Sequence, residues 1–256
     1  MAKIRFMYNN LIDPATSVVT ANSEDTDYPL TNLKVDLFST HYRSTGDAAE
    51  WIKIDLGAAM AVDVIAIRYH NLTAGATLTL EGNAADAWGA PTYSQVIAIT
   101  DDVIIYFLAS TQTFRWWRLT IADAANPDGV IKIGRPFLGS YFEPTWNFLA
   151  PRKSPIVDPS IKMYSSGGGK HVEKENTYRA PVYEWGLVNA ADYASFEAMF
   201  EAVGANKAFF VCENADHATP ETVTFYLEGL ADNWGMGNAY GVYYQGPIIP
   251  CAEMRE

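Results

Sequence analysis

The first half of the chain is a succession of short segments in which apolar and polar residues alternate. Residues 51–56 (WIKIDL) and 62–69 (VDVIAIRY) have the two-residue period of half-buried strands. Similar segments, separated by Asp, Asn, Gly and Pro, follow at residues 77–81, 96–100, 103–108, 114–121 and 130–133. Since no intervening stretch has the length and period of a helix, residues 1–140 are expected to form an antiparallel β-sandwich.

The end of the chain combines strands with one helix. Apolar residues recur at helical spacing between residues 193 and 203, where Asn189 is a good N-cap and Gly204 can end the helix. Strand-like segments lie before and after it, at residues 183–187, 208–213, 223–227 and 240–245. This order predicts a small α+β domain over residues 181–256.

Residues 141–180 are predicted to connect the two domains. Proline and glycine disfavour a helix or a central strand here, at Pro144, Pro151, Pro155, Pro159 and the run 165–169 (SSGGG). The segment has a formal charge of +2, whereas residues 181–256 carry −9. It is also too apolar for a free linker, through Tyr141, Phe142, Trp146 and Phe148. We therefore expect an ordered arm that packs against its own domain or against a neighbouring copy.

Two adjacent tryptophans, Trp116 and Trp117, fall within one predicted strand. Neighbours on a strand face opposite sides, so one ring is expected in the core and the other outside. We assign Trp117 to the assembly surface, together with Tyr141, Phe142, Trp146 and Phe148.

Composition and motifs exclude several classes of protein. The formal charge of −12 argues against sequence-independent binding of nucleic acid, which needs an excess of Lys and Arg. No segment has the length of a membrane span or a signal-peptide core, so synthesis in a cytoplasm without membrane insertion is expected. Motifs of serine hydrolases, zinc proteases and P-loops are absent, and residues 167–170 (GGGK) are better explained as a loop tip. Neither an enzyme nor a cofactor is expected.

A set of motifs in the first domain occurs in a familiar order. They are residues 28–33 (YPLTNL), 39–44 (STHYRS), 51–57 (WIKIDLG), 114–121 (FRWWRLTI) and 131–134 (IKIG). This set resembles the discoidin family, the factor V/VIII type C branch of the galactose-binding-like fold. The resemblance implies a galactose-binding-like jelly roll for the sandwich.

The whole chain is similar to a class of bacteriophage tail proteins. The features that carry this similarity are the first domain, the exit 133–139 (IGRPFLG), the arm and the terminal domain. The resemblance implies a minor or distal tail protein at the tail tip or baseplate of a virion, made in the host cytoplasm. Its expected partners are other copies of itself in a ring and other phage tail proteins, with residues 181–256 forming the ring.

Carbohydrate binding is the alternative function. Loops at one end of galactose-binding-like sandwiches commonly recognise ligands, and His41, Tyr42 and Arg43 lie on one such loop. Trp88 and Tyr93 lie on another loop, so the five side chains together are a candidate site for a host cell-surface glycan. The competing interpretation, in which Tyr42 and Trp88 plug the end of the sandwich, is favoured about two to one because such aromatics are usually half-buried.

Some members of this fold hold calcium through loop carboxylates. Here the oxygen ligands would come from Glu24, Asp25, Asp27 and Asp36. The closing strand carries Lys132 where the family often has an acidic residue, so no metal is expected.

Overall fold

The computed structural model describes residues 3–37, 39–100, 103–151, 153–204, 207–215, 222–227 and 242–253. The chain forms two compact units. Asn9–Phe142 make up the sandwich unit. Met1–Tyr8 join Glu143–Asp216 and the chain from Val223 in a second unit, called the C-terminal unit here. The first residues of the chain therefore belong to the C-terminal unit.

The first nine strands and one 3-10 helix lie before residue 140. They are β1 (Arg5–Met7), β2 (Val18–Ala21), η1 (Leu30–Lys34), β3 (Tyr42–Arg43), β4 (Glu50–Ile67), β5 (Thr77–Asn83), β6 (Tyr93–Ile97), β7 (Ile104–Ala122), β8 (Lys132–Ile133) and β9 (Pro136–Gly139).

The main sheet of the sandwich unit has the strand order β2-β4-β7-β5-β6, with β9 also paired to β4, and every pairing is antiparallel. β4 and β7 pair along most of their lengths, with a register shift between Asp55 and Met60. Gly57, at φ +77°, lies in this shift and allows a backbone turn that other residues disfavour. The segments expected as separate strands at 51–56 and 62–69 are consequently one continuous strand.

The core of the sandwich unit lies on the inward side of these strands. Trp117 is fully buried and packs edge-on against Tyr93 and Phe114, with ring centroids 6.0 and 5.7 Å away. Alternate residues of β4, β5 and β7 complete the core, among them Ile52, Ile54, Leu78, Leu80, Leu119 and Ile121. The chain is mainly β, and the predicted antiparallel jelly-roll sandwich is confirmed.

Two buried arginines attach the segment around η1 to the sandwich. Arg135 donates to Asp13 Oδ2 at 2.7 Å and to the carbonyl of Lys34 at 3.0 Å. Arg68 donates to Asp36 Oδ1 at 3.3 Å and to the carbonyl of Leu37. The conformation of the loop that leads to β3 therefore depends on hydrogen bonds from two buried guanidinium groups.

The remaining elements lie after residue 150. They are β10 (Ile156–Val157), β11 (Ile161–Tyr164), β12 (Lys170–Glu173), β13 (Tyr178–Arg179), β14 (Val182–Glu184), β15 (Leu187–Asn189), α1 (Ala190–Val203), β16 (Phe209–Cys212), β17 (Thr222–Leu227), β18 (Tyr243–Gln245) and β19 (Ile248–Glu253). Residues 240 and 241 of the last expected strand lie outside the described residues.

The C-terminal unit is the predicted α+β fold, with a sheet of order β1-β16-β17-β19-β14. The expected helix is present as α1, where Asn189 accepts from the Asp192 N–H at 2.8 Å as the N-cap. Gly204 ends the helix at φ 54°. Phe6 of β1 packs in an aromatic core with Tyr183, Trp185, Phe196 and Phe209.

Part of the expected arm is an antiparallel ribbon. β10 pairs with β13 and β11 with β12, and the β11–β12 turn contains Gly168 at φ 82°. Every residue of β11 and β12 is exposed, so both faces of this hairpin are accessible. We call residues 156–179 the ribbon. The GGGK run is therefore at a hairpin tip, as the loop interpretation expects.

Cys212 and Cys251 are both buried. They lie on β16 and β19, and β17 separates these strands in the sheet. Strands two positions apart are about 9.5 Å apart, which is beyond the reach of a disulfide.

Candidate ligand-binding site

Three aromatic rings, those of Tyr28, His41 and Tyr69, meet where the loops before β3 and after β4 come together. We call this group the ring cluster. The His41 ring stacks on Tyr28, with centroids 4.6 Å apart and an interplanar angle of 20°, and its centroid lies 5.7 Å from that of Tyr69. All three side chains are half-buried, so each keeps part of its surface accessible.

The pairing of β3 with β8 places two cations on one outward side. Tyr42 lies opposite Ile133, and Arg43 lies opposite Lys132. Since Tyr42 and Ile133 are buried, the alternation along each strand turns Arg43 and Lys132 outward.

Each of these cations is held by a carboxylate. Arg43 donates through Nε and Nη2 to Asp25 Oδ2, at 3.1 and 2.7 Å. Its guanidinium carbon also lies 4.1 Å from the centroid of the Tyr28 ring, which is a cation–π distance. Lys132 Nζ donates to Asp128 Oδ2 at 2.7 Å.

Asn71 supports the Lys132 side of the site. Its Nδ2 donates to Asp128 Oδ2 at 3.0 Å and to the carbonyl of Val130 at 2.8 Å. Its Oδ1 accepts from the backbone N–H of Lys132 at 2.7 Å. These bonds fix β8 and the Asp128 carboxylate before any ligand arrives, which lowers the ordering cost of binding.

The surroundings shift three pKa values in the site. Burial lowers the pKa of His41 below 6.5, and the charges of Lys132 and Arg43 lower it further. The hydrogen bond from Arg43 lowers the pKa of Asp25, and that from Lys132 lowers the pKa of Asp128. At neutral pH the imidazole is therefore uncharged and both carboxylates are ionised.

This balance restricts the chemistry of a ligand. Two ion pairs and a neutral imidazole give the site hydrogen-bond donors and acceptors without net charge. The half-exposed rings add apolar surface beside them. The arrangement suits a neutral molecule that presents hydroxyl groups next to a C–H face.

Only part of the predicted glycan site is brought together. His41 and Arg43 both contact the ring of Tyr28. Tyr42, expected beside them, is only 1% exposed, and its hydroxyl donates to the Ser23 carbonyl at 2.6 Å. Burial raises the pKa of Tyr42 to about 12. Tyr42 is therefore a core residue and not a ligand contact, as the interpretation in which it plugs the end of the sandwich expects.

Trp88 and Tyr93 have other surroundings. The Trp88 ring lies over the guanidinium of Arg118 at 4.5 Å, and its Nε1–H donates to Asp86 Oδ1 at 2.6 Å. Tyr93 is turned toward the buried Trp117, and burial raises its pKa to about 12. Neither side chain has a contact with the ring cluster among the described residues.

The assignment of Trp117 to the assembly surface is corrected, because its side chain is fully buried. Trp117 is the inward member of the tryptophan pair, and Trp116 is half-buried on the outward side of β7. Phe148 is half-buried and packs against Tyr183 within the C-terminal unit, with ring centroids 5.3 Å apart.

The other expected assembly residues remain partly accessible. Tyr141 packs against Phe107, and Phe142 is half-buried. Trp146 is 45% exposed and contacts Tyr243.

Sequence reasoning missed Tyr28, Tyr69 and Lys132 as site residues. Tyr28 belongs to the motif 28–33 and Lys132 to the motif 131–134. Both residues were therefore part of the resemblance, but no ligand-binding role was predicted for them. Tyr69 ends the alternating run 62–69, where no local signal separates it from a strand residue. Their convergence depends on the β3–β8 pairing, which joins positions about 90 residues apart in the sequence.

Three of the four carboxylates considered for calcium bind other groups of the protein. Asp25 binds Arg43, Asp36 binds Arg68, and Glu24 accepts from the Leu30 N–H at 2.7 Å. Within the described part of the chain, no cluster of three or more His, Cys, Asp or Glu side chains is arranged for a metal. The helices of that part also include none with the length and hydropathy of a membrane span.

Solved structures with a similar fold share low sequence identity with this chain. A GH29 fucosidase of Ruminococcus gnavus in complex with fucose is 18% identical, with a TM-score of 0.44, and the match covers 52% of this chain but only 27% of that one. The family 32 carbohydrate-binding module of NanJ from Clostridium perfringens, in complex with galactose, is 14% identical (TM-score 0.42; 54% and 99% covered). The lectin binding domain of lectinolysin, as a histidine mutant complexed with Lewis b, is 10% identical (TM-score 0.42; 52% and 99% covered).

No protein-family model matches the sequence, and no curated protein matches it.

Proposed function

We propose that the sandwich unit is a carbohydrate-binding module and that the ring cluster contacts a sugar of a glycan. One observation carries the proposal: His41 and its neighbouring rings lie beside two cation–carboxylate pairs on a single outward surface. A pyranose ring has the complementary chemistry, because it presents an apolar C–H face and a rim of hydroxyl groups.

The polar groups of the site match adjacent sugar hydroxyls. The Arg43–Asp25 pair offers N–H donors and carboxylate acceptors side by side, and Lys132 with Asp128 offers a second such pair. Neutral His41 adds one donor and one acceptor. Because the pairs exist before binding, a ligand gains hydrogen bonds without ordering long side chains.

The test is a titration of the whole chain with galactose, fucose and N-acetylglucosamine, followed by NMR of the His41 imidazole. We expect at least one sugar to shift the His41 signals, with at least tenfold weaker binding in Arg43→Ala, since hydrogen bonds to charged groups are worth about 1.5–3 kcal/mol. Arg179→Ala, an exposed arginine of the C-terminal unit, is the matched control. Unchanged His41 signals with every sugar at high concentration would contradict the proposal.

A second proposal concerns the ribbon and assembly. We propose that the chain is a structural component of a phage virion tail in which the ribbon contacts another copy. The supporting observation is its exposed apolar surface, which includes Ile156 at 73% and Tyr164 at 69%. An isolated two-stranded ribbon is marginally stable in water, so a covering surface stabilises it. The virion location rests on the sequence resemblance alone.

Light scattering at low and high salt tests this second proposal. We expect a closed homo-oligomer that weakens with salt, because the +2 arm and the −9 terminal region attract each other. The variant Ile156→Ser with Tyr164→Ser should be monomeric, whereas Val18→Ser, an exposed valine of the sandwich unit, should not change the mass. A monomeric wild-type chain at all concentrations and salts would contradict self-assembly.

A further inference from the structure

The outward face of the main sheet carries aromatic and charged side chains in rows. Trp51 lies opposite Thr120, Lys53 opposite Arg118, and Asp55 opposite Trp116. These rows are on the solvent side, because the residues that alternate with them, such as Ile52 and Ile54, are buried. Trp51 and Trp116 therefore lie on either side of the central Lys53–Arg118 row.

A third tryptophan reaches the same face from the loop after β5. Trp88 packs over Arg118, and Asp86 of the same loop accepts from Lys53 Nζ at 2.8 Å. These two contacts hold the loop against the central row. We call Trp51, Lys53, Trp88, Trp116 and Arg118 the tryptophan face.

Cations keep these rings in place. Lys53 Nζ lies 5.6 Å from the Trp51 ring centroid and 5.5 Å from that of Trp116, and Arg118 lies 4.5 Å from Trp88. Each of these distances is within the range of cation–π attraction. All three rings are half-buried and so keep accessible surface.

The charges on this face are balanced. Lys53 pairs with Asp86 at 2.8 Å and Arg118 with Glu81 at 2.6 Å. Arg115, beside Trp116, makes a two-bond contact with Asp55 at 2.7 and 2.8 Å. Three cations and three carboxylates give no net charge, although the whole chain carries −12.

We infer that the tryptophan face binds an extended, neutral polysaccharide chain. Its fixed rings at separate rows can each stack on a different sugar unit, and the balanced ion pairs between them can hydrogen-bond to hydroxyl groups. A charged polymer has no unpaired counter-charge here and would have to displace an existing ion pair. This site is separate from the ring cluster, because the two share no residue.

Chain length separates the two sites experimentally. The whole chain is titrated calorimetrically with cello-, chito- and galacto-oligosaccharides of one to six units, and tested by affinity electrophoresis in gels containing xylan, galactomannan or polygalacturonate. We expect at least a tenfold increase in affinity from one to four units in at least one neutral series, and retardation by a neutral polymer.

Substitution assigns that increase to the tryptophan face. The double variant Trp51→Ala with Trp116→Ala should remove the dependence of affinity on chain length and leave monosaccharide binding unchanged. Arg43→Ala should instead weaken monosaccharide binding and leave the dependence on chain length unchanged. Two controls exclude misfolding as the cause. The double variant should unfold at nearly the wild-type temperature, and Trp88→Ala, which changes only the loop after β5, should remain folded and lose the same length dependence. Equal affinity for one and six units, retardation by polygalacturonate alone, or full length dependence in the double variant would each overturn the inference. Failure of monosaccharides alone would count against the ring cluster and not against this face.

Discussion

Phe6, near the start of the chain, packs edge-on against Tyr183, with ring centroids 6.4 Å apart and an interplanar angle of 90°. Phe6 is fully buried, and its strand β1 pairs with β16 through the register Phe6 to Val211. The C-terminal unit thus includes a strand from the opposite end of the sequence. Its stability depends on residues that precede the whole sandwich unit.

We expect Phe6→Ala to destabilise the C-terminal unit by about 3–5 kcal/mol, because it removes a buried ring contacted by four other aromatic residues. Hydrogen exchange measures this locally: amides of β16 should lose protection while amides of β7 keep theirs. Val18→Ala, at an exposed position of β2, is the control and should leave both unchanged. Equal loss of protection in β7 would show that the effect is not confined to the C-terminal unit.

The sequence was informative where the pattern is local. Alternation predicted most strands of the sandwich, and the Asn189 cap with Gly204 predicted α1 closely. β1 could not be predicted in the same way, because its three residues acquire a strand partner only at Phe210–Cys212, about 200 residues later. Similarly, the ring cluster depends on the β3–β8 pairing, and each of these strands is only two residues long.

For the tryptophan pair the wider alternation contains the answer. Trp117 alternates with Leu119 and Ile121, whereas Trp116 shares its side with Arg118 and Thr120, so the pattern of residues 116–121 places Trp117 inside. The register with β4 agrees, because Trp117 is opposite Ile54 and Trp116 is opposite Asp55.

Substitutions at the two tryptophans should therefore differ strongly. Trp117→Ala is expected to cost about 3–5 kcal/mol of the free energy of unfolding, because it leaves a cavity in the sandwich core. Trp116→Ala, on the outward side, is expected to cost less than about 1 kcal/mol. Urea unfolding followed by circular dichroism measures both. Equal costs would contradict the assignment of the two sides.

Two arginines provide a similar comparison for ion pairs. Arg135 is buried and binds Asp13, whose side chain is 36% exposed, and the carbonyl of Lys34, so Arg135→Met should cost about 1–3 kcal/mol by removing hydrogen bonds made by a charged group. Arg115 has a side chain 45% exposed, and Arg115→Met should cost no more than about 1 kcal/mol despite its two-bond contact with Asp55. The measurement is chemical denaturation of both variants at one pH. A smaller cost at Arg135 than at Arg115 would contradict the structural role given to the buried arginine.

The ring cluster should make the stability of the sandwich unit depend on pH. The pKa of His41 is lowered in the folded chain, chiefly by burial, so the unfolded chain binds more protons between that value and the ordinary 6.5. Stability from this group is thus fully present above about pH 6.5 and is lost as pH falls through the folded pKa. His41→Gln should flatten the slope of unfolding free energy against pH below about 6.5, by less than about 1.4 kcal/mol per pH unit. His171→Gln, on the exposed strand β12, is the matched substitution. NMR titration of His41 gives the direct check, and a midpoint at or above 6.5 would contradict this prediction.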